Sequence, residues 1–119
     1  MSLEYVPGPA RHNDLRFTLD QLHAASVACR NRNTVAVLHR VSLVLACAEG
    51  MAADAPRWGS WRKLDSAWFA LYNAFPGASP RIIAVARERV QRGLEELTGD
   101  LLEAIRTERE AESILEGSM

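Results

Sequence analysis

The chain has 119 residues, 48% apolar, 24% charged and 7% aromatic, the profile of one compact domain whose core holds the fold without metal or disulfide. Fourteen Lys and Arg against fifteen Asp and Glu leave a net charge of -1, which excludes a protein built mainly to coat nucleic acid or an acidic membrane. Cys29 and Cys47 are too few for a disulfide framework, and the N-terminus has neither basic n-region nor apolar h-region, so a cytoplasmic protein is expected.

Residues 1–17 read as an extended arm, with Pro7, Gly8 and Pro9 among polar residues and no period. Thr18-Leu19-Asp20-Gln21 has the pattern of a capping box, and Leu19, Leu22, Ser26 and Cys29 follow at helical spacing, which predicts a first helix over 18–30. After the polar interruption Arg30 to Asn33, either Asn33 or Thr34 caps a second helix over 34–49 that continues toward Gly50. Its stripe is Val35, Leu38, Val41, Leu45 and Ala48; Val37, Leu43 and Val44 lie off it, so this helix is apolar nearly all round and should be central. The apolar run from Val35 to Ala48 is shorter than the roughly 20 residues that span a bilayer, and it carries His39 and Arg40.

Pro56 and Gly59 mark residues 50–60 as a loop, and Ser60 is the expected cap of a third helix over 60–75. Trp61, Leu64, Trp68, Leu71, Tyr72 and Phe75 form its broad stripe, with Phe69 at the rim. Pro76-Gly77 closes this helix, and Ser79-Pro80 opens a fourth over 80–116, leaving 117–119 as a tail. Ile83, Ala86, Val90, Leu94, Leu97, Leu101 and Ile105 repeat every eleven residues, the period of a nearly straight helix, until Glu108 and Glu112 interrupt the stripe. Unbroken, the 37 residues of 80–116 span about 55 Å, against about 35 Å for a globule of this length. Either Gly99 breaks the helix or its end projects. Glycine costs only about 1 kcal/mol in a helix, which favours projection.

The expected fold is all-α: a four-helix single domain with a long C-terminal helix. Projecting apolar residues call for a second chain, so a homodimer is expected, joined through Val90, Leu94, Leu97, Leu101 and Ile105.

Chemistry is harder to find. His12, His23 and His39 lack metal-ligand spacing, the glycines are scattered rather than gathered in a phosphate loop, and no Ser-His-Asp signature occurs. Glu95, Glu96, Asp100 and Glu103 flank an apolar stripe as a solvated face does. No catalytic residue, cofactor or metal is therefore assigned, and the chain is not expected to be an enzyme. Charge is unevenly spread: residues 1–56 carry five basic and five acidic side chains, 57–92 seven and two, 93–119 two and eight. The basic 57–92 segment raises one alternative, a helix-turn-helix-like DNA-binding regulator presenting Arg81, Arg87, Arg89 and Arg92.

In length and helix layout, from Thr18-Leu19-Asp20-Gln21 through Trp61-Arg62-Lys63-Leu64-Asp65-Ser66-Ala67-Trp68 to the long helix opening at Ser79-Pro80, the whole chain resembles the small bacterial antiactivators of quorum sensing, the QslA type. The resemblance implies a partner, a LuxR-type transcription factor such as LasR, and a mechanism, occlusion of the surface through which that regulator dimerises. The partner is expected to meet aromatic anchors at Trp58, Phe69 and Tyr72, with Tyr5 and Phe17 contributed by the arm.

Overall fold

The structure, a computed structural model, describes residues 11–51 and 57–117, with side chains at 16–50, 57–104, 106, 107 and 110. The described residues form four helices and no strand: α1 (Arg11–Arg30), α2 (Thr34–Met51), α3 (Gly59–Ala74) and α4 (Pro80–Gly117). Sequential helices pack as antiparallel neighbours, and α1 also packs on α4, which closes an up-down-up-down bundle. No described helix is long and apolar enough to cross a membrane.

Helix α1 begins at Arg11, seven residues before the predicted start, so 11–17 is helix rather than arm. No Gly or Pro occurs between Arg11 and Thr18 to stop it. Thr18 is correspondingly no cap; it lies inside the helix, 1% exposed. The helix ends in a Schellman-type turn, in which the Asn33 amide donates to the Ala28 carbonyl at 3.0 Å and the Arg32 amide to Cys29 at 3.1 Å. Arg32 occupies the left-handed position there, with φ 56°. Glycine is usual at that position, and a side chain costs about 1 kcal/mol.

Two of the expected caps form as the sequence suggests. Asn33 Oδ1 accepts the Ala36 amide at 3.2 Å, and Ser79 Oγ accepts that of Ile82 at 3.3 Å. Ser60 departs from expectation. It sits within the first turn of α3, whose N-cap is Trp58 without a side-chain bond, and its buried hydroxyl donates to Asp100 on α4.

Helix α4 runs unbroken through Gly99, and the molecule measures 61 × 33 × 23 Å. Its 38 residues account for about 57 Å at 1.5 Å each. Among the described side chains of α4, Leu101 is the last that is buried, so the part of α4 beyond it projects. The radius of gyration, 16.0 Å, exceeds the about 13.5 Å of a compact chain this long for the same reason.

The core contains Leu22, Ala25, Val37, Val41, Val44, Leu64, Leu71, Val90, Leu94 and Leu97. This overturns the proposed dimer seam. Val90, Leu94 and Leu97 are 0% exposed and Leu101 2% within the single chain, so α4 spends its stripe on its own bundle. An eleven-residue repeat marks a straight buried face, and a neighbouring helix of the same chain covers it as readily as a second copy. The Ile105 side chain lies outside the described residues.

Candidate functional site

Two tryptophans set the register of α3 against α2. Trp61 Nε1 donates to the Leu45 carbonyl at 3.1 Å, and Trp68 Nε1 to that of Leu38 at 2.8 Å. Donors seven residues apart on one helix meet acceptors seven apart on the other, in reverse order, so the helices run antiparallel over two turns. Both indoles pack partly buried against the core, the usual outcome for a ring with one polar handle.

One turn beyond the Trp68–Leu38 bond, Tyr72 on α3 and Val35 on α2 come to the same level. Tyr72 stacks on Trp68, with centroids 5.4 Å apart and planes 20° from parallel. Val35 is 63% exposed, Phe69 60% and Tyr72 57%. Three large apolar side chains, two of them aromatic, are therefore exposed on the α2–α3 side of the bundle. Spacing alone places Val35 on the apolar stripe of α2; the excess of apolar residues around that helix is the signal that some have to face outward.

The other expected anchors do not join this face. Trp58 packs against the core at the start of α3. Phe17, 38% exposed, is on α1, diagonally across the bundle, and lies toward its far end. Tyr5 lies outside the described residues.

The basic segment does not present a recognition helix. Gly93 meets Leu64, Lys63 Nζ reaches Glu96 Oε1 at 2.8 Å, and Ser60 reaches Asp100, so α3 and α4 lie side by side and antiparallel rather than crossing. Arg81, Arg89 and Arg92 are exposed, Arg92 pairing with Glu88 at 2.9 Å. Arg87 turns inward, and its Nη1 donates to Thr34 Oγ1 at 3.2 Å.

Among the described residues no group of His, Cys, Asp and Glu is placed to hold a metal. Cys29 is half-buried, and its thiol is pushed up to about 11 by desolvation, with the nearby Arg87 charge opposing the shift. At neutral pH it stays protonated, which makes it a poor nucleophile.

The chain matches no known family model, no curated protein and no solved structure. The geometry of the α2–α3 face is therefore what a functional reading has to work from.

Proposed function

We propose that the chain is a protein-binding regulatory module that covers a partner's surface with its α2–α3 face. One observation carries the reading: Val35, Phe69 and Tyr72 are all more than half exposed, Tyr72 stacked on the Trp68 ring, on helices pinned by two indole hydrogen bonds. Monomers seldom leave such a surface uncovered, and rigid aromatic anchors lose little conformational entropy on docking. Following the QslA-type resemblance, the partner is a LuxR-type quorum-sensing transcription factor. Covering its dimerisation surface deprives it of the two-fold arrangement that spans two DNA half-sites.

The test adds the chain to a purified LasR-type regulator bound to labelled operator DNA. The reading expects the regulator to be released, bare DNA to be left unshifted by the chain alone, and release to fail with the Phe69→Ala, Tyr72→Ala double variant at unchanged helical circular dichroism. Equal release by that variant refutes the face. A salt-dependent shift of bare duplex supports the DNA-binding alternative instead.

Self-association belongs to the same proposal, relocated. With Val90 to Leu101 buried, what remains for a second copy is the projecting end of α4, where Leu102 is 50% exposed and the sequence continues with Ile105, Ile114 and Leu115.

A further inference from the structure

At the end of the bundle away from the projecting part of α4, the α1–α2 and α3–α4 turns stand together and border an open cleft of about 570 Å³. That volume falls in the range of small-molecule sites. Phe75, Pro80 and Ile83 give it an apolar side, and Arg32, Thr34 and Arg87 a polar one.

No carboxylate answers these cations. Residues 28–38 and 71–87, which build this end, contain Arg30, Arg32, Arg81 and Arg87 but no Asp or Glu. Among the described residues neither Arg32 nor Arg87 forms an ion pair. The half-buried Arg87 is oriented by the Thr34 hydroxyl, which occupies one Nη and leaves other donors of the guanidinium open. Arg32 is held by a backbone of φ 56°, where glycine would be relaxed. That turn closes α1 and sets an arginine at the rim of the cleft.

We propose that this cleft binds a small organic carboxylate, its apolar body against Phe75, Pro80 and Ile83 and its carboxylate between Arg32 and Arg87. A planar guanidinium matches a carboxylate in a forked geometry, and a largely apolar lining calls for a ligand with a single charged tip. The site shares no lining residue with the α2–α3 face and does not depend on the function proposed for it.

The probe is octanoate, titrated calorimetrically into the full chain beside 1-octanol, acetate and octyl phosphate. One octanoate binds per chain, and octanol and acetate bind at least about tenfold more weakly because each lacks half of the recognition. Arg87→Gln and Arg32→Gly each weaken octanoate by about tenfold or more. Arg32→Gly guards against a folding artefact, since glycine suits the left-handed position, and its urea midpoint should not fall. Phe69→Ala leaves octanoate affinity unchanged. The proposal is overturned if octanol binds as well as octanoate, if octyl phosphate binds more tightly, or if either arginine variant binds octanoate undiminished. It is equally overturned if Phe69→Ala abolishes binding, which would put the ligand on the α2–α3 face.

Discussion

Gly93 and Gly99 lie six residues apart on α4, and replacing each with alanine separates packing from helix propensity. Both substitutions gain about 1 kcal/mol of intrinsic helix preference. At Gly99 nothing lies within 4 Å of the added methyl, so the gain stands alone. At Gly93 the new Cβ meets Leu64 Cα at 3.1 Å and Leu64 Cβ and Cδ1 at 3.2 Å, and two of those three atoms are not the free end of a side chain. Relief requires α3 to back away by a few tenths of an ångström while Lys63–Glu96 and Ser60–Asp100 hold it in place. Overpacking of this kind costs about 1–3 kcal/mol. Gly99→Ala should therefore stabilise by about 1 kcal/mol, and Gly93→Ala should fall between neutral and about 2 kcal/mol destabilising. At about 2.1 cal/mol/K per residue the unfolding entropy makes 1 kcal/mol worth about 4 °C, so the variants should differ in Tm by about 4–12 °C. Thermal and urea unfolding at 222 nm measure both. Equal stability of the two variants refutes the close α3–α4 approach, and no gain from Gly99→Ala refutes an unbroken helix at that point.

Four further outcomes are expected. Phe69→Ala and Tyr72→Ala should each weaken partner binding by about tenfold or more, as loss of a central aromatic anchor does, with unfolding midpoints within about 0.5 kcal/mol of the parent. Cys29 ionises in the unfolded chain near 9.0 but in the folded one near about 11; its contribution to stability is complete below pH 9 and lost as pH rises toward 11, so the urea midpoint should fall across that window in the parent and less in Cys29→Ala. Light scattering should give a dimer mass for the parent and 13.2 kDa for Leu102→Asp, whose side chain leaves the bundle core untouched. Arg32→Gly should raise stability by about 1 kcal/mol through relief of the left-handed strain, and an unchanged or lower midpoint refutes that account.

Helix identity was legible wherever apolar spacing, caps and breakers agreed. Asn33, Ser79 and Pro80 mark helix starts, with cap hydrogen bonds at Asn33 and Ser79, and the length of α4 follows from its repeat as far as Ile105 together with the small cost of glycine at 99. The misreadings share one cause, the inability of a single helix to say what covers it. Thr18 matched a capping pattern, yet nothing upstream stopped the helix, and tertiary burial took the residue inside. The Val90 to Leu101 stripe showed that a face is covered but not by which chain. Phe69 and Tyr72 emerged from the aromatic surplus of α3, whereas Val35 and the cleft between two distant turns needed the register of neighbouring helices.

The tryptophan arrangement has an optical consequence. All three indoles, Trp58, Trp61 and Trp68, belong to α3 or its immediate start. Intrinsic fluorescence thus reports mainly α3 and its contact with α2. Trp68, stacked against an exposed phenol, should change emission when anything settles on that face, so docking can be followed on the unlabelled chain. During unfolding, a lag between this signal and far-ultraviolet dichroism would reveal whether the α1–α2 and α3–α4 hairpins come apart together or one at a time.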